Sequence, residues 1–319
     1  MCAGCRATVM EEADVGMLID GRWDEHATDT LGKSGSFDRT AATFRHRITA
    51  DGTSAFAAEA GRYHLFLAFG CPWCHRVMIF LKLKKLEGVI STSFVHHALG
   101  EGGWAFRTPD PLLGARFAYE VYLRAVPDFT GRCTVPILWD KKTSTIVNNE
   151  SAEIIRMLNR EFAAFTADRT DYYPIELASQ INAVNERVYQ YVNNGVYRCG
   201  FAVGQEPYEQ AARSLFDTLD WIEGLLETQT HLLGERQTEA DWRLFPTLVR
   251  FDCAYYPLFK CNLRHVYEYP ALWRYTKRLY ATPGIAETVD VQIYKENYYS
   301  IRSVNPSGVV PVGPRIGFT

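Results

Sequence analysis

The chain has 319 residues, 47% hydrophobic and 22% charged, which is enough for two packed domains and too apolar for a disordered or fibrous protein. A formal net charge of −3, with no block of like charge, leaves no electrostatic footprint for nucleic acid or an anionic membrane. Apolar runs such as 77–81 fall far short of the roughly 20 residues that a membrane span needs. The opening MCAGCRATVMEEADVG carries early acids and no long apolar stretch, so it does not read as a secretory leader. The eight cysteines are therefore expected in a reducing cytoplasm, where Cys-x-x-Cys serves redox or metal chemistry rather than a structural disulfide.

Residues 1–60 are rich in Gly, Asp, Thr and Ala with weak periodicity, and read as an irregular extension that packs on the core without building it. YHLFLAF (63–69) has the length and aromatic content of a buried strand. A helix is predicted over 72–87, with Pro72 in the first turn where a missing N–H does no harm. VISTSFVH (89–96) is rich in strand formers, whereas 98–131 mixes Gly, Pro and aromatics without a clean period and suggests an insertion or lid. TVPILWD (134–140) and TSTIVNN (143–149) flank Lys141-Lys142 as a hairpin, and ESAEIIRMLN (150–159) follows as a helix. This β-α-β-insertion-β-β-α order is that of a thioredoxin-like domain, over 61–165.

Beyond Asp171 the pattern becomes helical. Leu177, Ile181, Val184, Val188 and Val192 step by four, three, four and four, and Leu215, Leu219, Ile222 and Leu226 repeat the stripe. Thr238 followed three residues later by Asp241 reads as a capping box opening TEADWRLFPTLVRF (238–251). Further helices are predicted over 270–281 and 285–294. An all-helical domain thus spans 166–300, ahead of an extended Pro/Gly-rich tail over 301–319. An α/β thioredoxin-like domain followed by an all-α domain is the architecture of glutathione transferases.

GCPWCHR (70–76), at the strand-to-helix junction, carries the chemistry. A cysteine in the first helical turn faces unpaired N–H groups and the positive end of the helix dipole, both of which favour the nucleophilic thiolate. Cys71 holds that position and Cys74 lies about one turn further in. His75 and Arg76 would add positive potential, although Arg76 could equally face solvent. A zinc clip would need two more ligands. Cys2 and Cys5 (CAGC) form a second pair, but it is distant in sequence, and the strand–helix turn suits redox chemistry better, so no metal is expected. A purely structural, inert pair is the other alternative. The X-Pro bond of Val135-Pro136 is expected to be cis, exposing backbone groups of Val135 to a peptide-like substrate. In NNESAEII, Ser151 at a helix start can hold a carboxylate and Glu150 an ammonium, which together suit the end of a γ-glutamyl group.

With these residues in view, the stretch 65–314 resembles the glutathionyl-hydroquinone reductases, or Xi-class glutathione transferases. The matching phrases are FGCPWCHR, GEGGWAF (100–106), GRCTVPILWDKKTSTIVNNESAEIIRMLN (131–159), NNGVYRCGFA (193–202), LLGERQTEADWRLFPTLVRFD (232–252), FKCNL (259–263) and NPSGVVPVGP (305–314). The resemblance implies reduction of glutathionyl-hydroquinones. The Cys71 thiolate would attack the glutathione sulfur, the free hydroquinone would leave, and a second glutathione would resolve the mixed disulfide. Glutathione would be the co-substrate, bound by Trp104, Arg132, Val135, Glu150 and Ser151. Tyr197, Tyr255 and Tyr298 would line the pocket for the aromatic acceptor, and the Tyr197 and Tyr298 hydroxyls would assist catalysis by helping to protonate the leaving carbon. A cytoplasmic homodimer joined through the helical domains is also implied, with quinone-derived conjugates as small-molecule partners and neither nucleic acid nor membrane.

Two departures from the family pattern stand out. Cys74 replaces the usual alanine of CPWA, raising a Cys71–Cys74 disulfide and glutaredoxin-like activity as possibilities. The C-terminal H-Y-x-x-S-H pattern reads Asn297-Tyr298-Tyr299-Ser300-Ile301-Arg302, without either histidine. The competing expectations are an omega-like thiol transferase or dehydroascorbate reductase, and a non-catalytic ligand-binding protein of the same fold.

Overall fold

A computed structural model describes residues 16–27, 37 and 39–318; Cys2 and Cys5 lie outside them. The central sheet is built from β5 (Tyr63–Ala68), β6 (Ser91–Val95), β7 (Ile137–Asp140) and β8 (Thr145–Asn148), in the order β6-β5-β7-β8; two small strand pairs, β1 to β4, precede it in the chain. β5 runs parallel to β6 and antiparallel to β7, which forms the expected hairpin with β8. All six residues of β5 are buried, as a central strand covered on both faces requires. α1 (Pro72–Leu83) packs against α3 (Ser151–Arg160). α1 is shorter than expected, because the backbone turns left-handed at Lys85 (φ 51°).

Residues 98–131 are not wholly irregular, for they contain α2 (Ala118–Ala125). The extension also does more than pack on the core. Its strands β1 (Met17–Ile19) and β2 (Arg22–Asp24) pair antiparallel, and β3 (Ile48–Thr49) and β4 (Phe56–Ala57) pair in parallel. Leu18 and Ile48 are buried in the main core. The Leu18 and Gly131 backbones exchange hydrogen bonds of 3.0 and 2.9 Å, and Phe44 and Asn149 are tied by two of 3.1 Å. The extension is thereby stitched to the loops on either side of the β7–β8 hairpin.

The helical half comprises α4 (Ala178–Val188), α5 (Gly195–Gly200), α6 (Gln205–Thr228), α7 (Glu239–Arg250), α8 (Tyr256–Leu258), α9 (Pro270–Tyr280) and α10 (Val291–Tyr299). π-helical turns at Tyr189–Asn193 and Phe251–Tyr255 link α4 to α5 and α7 to α8. Ile181, Val184, Val188 and Val192, and the Leu215, Leu219, Ile222 and Leu226 stripe, all face the core. The capping box is present: Thr238 N–H donates to Asp241 Oδ2 at 2.7 Å. The helix predicted over 285–294 is displaced: a 3-10 turn occupies Ala286–Thr288, and α10 starts only after Asp290, whose carboxylate accepts from Gln292 and Ile293 N–H. No helix among the described residues is long and apolar enough to cross a membrane.

Candidate active site

Cys71 is the N-cap of α1, in extended conformation, with Pro72 at the first helical position. Its Sγ lies 3.7 Å from the Val135 carbonyl oxygen, and the Val135–Pro136 bond is cis. Burial would raise the Cys71 pKa. It is outweighed by hydrogen bonds from the Cys74 thiol and from the Cys74 and Trp73 N–H groups, and by the Arg250 charge, which bring the pKa down to about 7. Cys74 moves the other way. Burial and the adjoining Cys71 sulfur push its pKa well up, although Ala68 N–H donates to Cys74 Sγ at 3.3 Å. The pair therefore splits into a thiolate-forming Cys71 and a donor thiol at Cys74; both are free cysteines.

His75 does not supply the expected potential, and Arg76 faces the interior rather than solvent. His75 is buried, its Nδ1 accepts from Arg250 Nη1 at 2.9 Å, and its Nε2 pairs with Thr288 Oγ1 at 2.8 Å. Burial and the Arg250 charge hold its pKa well below the usual range, so the ring stays neutral. Arg76 is also buried, stacking 4.6 Å from the Trp73 ring and donating to Asn193 Oδ1 at 2.7 Å and to the Arg243 carbonyl at 3.1 Å. The charge felt by Cys71 comes from Arg250 in α7, which also donates to the Gly70 carbonyl at 3.0 Å and the Phe69 carbonyl at 3.3 Å. Nothing in the local sequence points to Arg250, because only the packing of α7 on α1 brings it there.

Cys71 opens onto a cavity of ≈ 370 Å³. Trp104, Arg132, Val135, Glu150, Ser151, Tyr197 and Tyr298 line it with Cys71, so residues from six separate stretches of sequence converge. Trp104 is delivered by a glycine turn. Gly102 has φ +80°, and a Cβ there would come within 2.7 Å of the Phe117 ring. Glu150, not Ser151, caps α3: its Oε1 accepts from Ala152 N–H at 2.9 Å, and Ser151 is the first helical residue. Gly70 lets the turn lie against Asn297, whose Cβ would be 2.5 Å from a methyl group placed on it.

Tyr255 departs from expectation. It does not line the cavity but sits fully buried behind Tyr298, their hydroxyls 2.5 Å apart. Tyr298 in turn meets the Tyr197 hydroxyl at 2.9 Å. Burial raises the pKa of all three, so they remain neutral hydroxyls able to donate. Cys74 likewise lies outside the cavity wall, beneath Cys71. The extension contributes lining residues that its sequence did not announce, including Met17, Phe37 and Arg39. No group of three or more His, Cys, Asp or Glu side chains is placed to hold a metal among the described residues.

Two family models match in tandem, glutathione S-transferase N-terminal domain over 70–161 and C-terminal domain over 205–278. The chain is 49% identical over 306 residues to glutathionyl-hydroquinone reductase PcpF of Sphingobium chlorophenolicum, covering 94% of this chain and 96% of that one. Glutathionyl-hydroquinone reductase YqjG of Escherichia coli is 45% identical over 313 residues, with 94% and 95% covered. The glutathione-bound structure of YqjG superposes at TM-score 0.86 with 42% identity, over 95% of this chain and 97% of that one. A Xi-class transferase from Natrialba magadii matches at TM-score 0.90 and 42% identity, over 96% and 95%. The chain belongs to the glutathionyl-hydroquinone reductase family of Xi-class glutathione transferases.

Proposed function

We propose that this protein reduces glutathionyl-hydroquinones to hydroquinones, using glutathione and a mixed disulfide on Cys71. The observation that carries this reading is a single cavity that an acidified cysteine shares with Glu150, Ser151 and the hydrogen-bonded Tyr197–Tyr298 hydroxyls. The Cys71 thiolate attacks the glutathione sulfur and the S–C(aryl) bond breaks. The electron pair leaves with the ring carbon, which takes a proton from the tyrosine hydroxyl network. A second glutathione thiolate then attacks the mixed disulfide, releasing glutathione disulfide and Cys71 thiolate. The Ser151 hydroxyl and N–H would hold the γ-glutamyl carboxylate, with Glu150 facing its ammonium. Trp104 and Arg132 would hold the glycyl end, and the Val135 backbone would pair with the tripeptide. Tyr255 supports Tyr298 from behind. We take 61–165 and 166–300 as the two domains of a cytoplasmic homodimer joined through the helical domain, a state that light scattering after size exclusion reads directly.

The test is turnover of a glutathionyl-menadiol conjugate, compared with chlorodinitrobenzene conjugation and hydroxyethyl disulfide reduction. Cys71→Ser should abolish reduction of the conjugate, and Cys74→Ala should keep most of it. Because Cys74 also acidifies Cys71, the variant is compared at a pH where Cys71 is fully ionised; loss of activity there, with Cys71 intact, would overturn the monothiol route. The hydrogen bond between Cys74 and Cys71 favours one second reading, a glutaredoxin-like side activity. In that case the intact mass of oxidised protein would show the loss of two hydrogens, two protons and two electrons taken by the oxidant, in place of an added glutathione.

A further inference from the structure

The wall of the cavity carries only three formally charged side chains among the described residues, Arg39, Arg132 and Glu150. Glu150 is committed to the α3 end by its bond to Ala152 N–H. Arg39 sits among the aromatic rings of the cavity. Its guanidinium carbon lies 4.7 Å from the Trp73 ring centroid, 5.3 Å from that of Tyr197 and 5.8 Å from that of Phe37. Its Nε donates at 3.2 Å to Oδ1 of Asn194, which is itself buried. Phe37, from the same segment, stacks on Tyr197 and Phe201 at 5.9 and 5.5 Å. The segment thus places a permanently charged planar fork, pinned at one edge, in the aromatic half of the cavity that also holds Tyr298.

A neutral hydroquinone offers such a cation only hydroxyl oxygens and a ring face, whereas an acidic ring substituent offers a full negative charge. A guanidinium held among aromatic rings favours an anionic partner, and its fork of N–H groups suits a carboxylate in a two-pronged geometry. We propose that Arg39 is a specificity-determining residue that selects conjugates whose aromatic ring bears a carboxylate or a strongly acidic phenol. This rests on the reductase reading, since it names the class of acceptor at that same site.

The experiment compares kcat/KM for the glutathione conjugate of 2,5-dihydroxybenzoate with that of methylhydroquinone. A charge-assisted hydrogen bond of ordinary strength predicts a wild-type preference for the carboxylated conjugate of about 10-fold or more, carried in KM. Arg39→Met should erase the preference, and Arg39→Lys, keeping charge but losing the fork, should restore part of it. A second measurement needs no turnover: tryptophan fluorescence titration of 2,5-dihydroxybenzoate and of methylhydroquinone into the Cys71→Ser protein, with and without Arg39→Met. Tighter binding of the acid that disappears with Arg39→Met supports the proposal. An unchanged ratio between the two ligands, or an equal loss for both, overturns it and leaves Arg39 a structural tether through Asn194. If no conjugate were turned over by wild type, the reductase reading would fall, while the titration would still decide the role of Arg39.

Discussion

Burial alone would push the Cys71 thiol up, so its acidity belongs to its neighbours: the Cys74 thiol, two N–H groups of the first turn, and Arg250. His75 acts through Arg250 rather than on the sulfur. It accepts from Nη1 and helps to aim a guanidinium that also stacks 3.6 Å from the Tyr294 ring. The sign of the pH dependence follows. Cys71 reacts as thiolate, so kcat/KM should rise with pH through about 7 and level off above it. Arg250→Met should move that limb to higher pH; a displacement of one unit would cut the thiolate fraction at pH 7 about five-fold. Arg250→Lys should hold the limb closer to its wild-type place, because the charge remains. A limb that stays put in Arg250→Met would show that the helix terminus and Cys74 suffice. Asn297 adds a further constraint on the chemistry. Its amide touches the cavity and donates to the His97 carbonyl at 2.7 Å, so it cannot carry a proton as a histidine would.

Among the elements, α7 does the most for the site, since it carries Arg250 at its C-terminal end and starts from the Thr238–Asp241 capping box. Asp241 also accepts from Leu232 N–H at 3.0 Å and the Tyr275 hydroxyl at 2.8 Å, so the cap anchors three stretches of chain. Thr238→Ala should cost about 1–2 kcal/mol, read from the midpoint of urea unfolding at unchanged slope; an unaltered midpoint would mean that Asp241 holds the turn without it. This cap was legible in the sequence, as were the α4 and α6 stripes, because a buried helical face leaves a 3.6-residue period. α2 was not legible. It is eight residues long and only Ala118, Val121 and Tyr122 are buried, too few positions to stand out among the aromatics around it. α10 was misplaced because Ile285 and Val291 extend an apolar pattern across the break that the Asp290 cap imposes.

At the scale of the molecule, the cavity exists only because the extension, the α/β unit and the helical unit meet, which is why the sequence revealed one wall of it better than the other. Cys71, Trp104, Glu150 and Ser151 sit in motifs with local grammar, whereas Arg39 and Arg250 acquire their places through contacts with residues far away in the chain. Buried polar ties hold the units in register. Lys84 reaches the Thr170 carbonyl at 2.6 Å, and Asn193 links Arg76 to Thr247. Glu239 is the densest of these joints. It is 1% exposed, pairs with Arg156 at 2.7 Å, accepts from Asn185 at 2.8 Å and lies 3.7 Å from Arg243. Glu239→Gln removes the only anion in this group and leaves two guanidinium groups close together. The expected cost is about 3 kcal/mol, the low end of the range for a broken buried pair because Arg156 keeps some solvent contact. Because the joint spans both units, far-UV circular dichroism and tryptophan fluorescence should report one shared transition, shifted to lower denaturant in the variant. Two separated transitions in the wild type would show instead that the units unfold independently, and that the cavity is held by local contacts around Cys71 rather than by the interface as a whole.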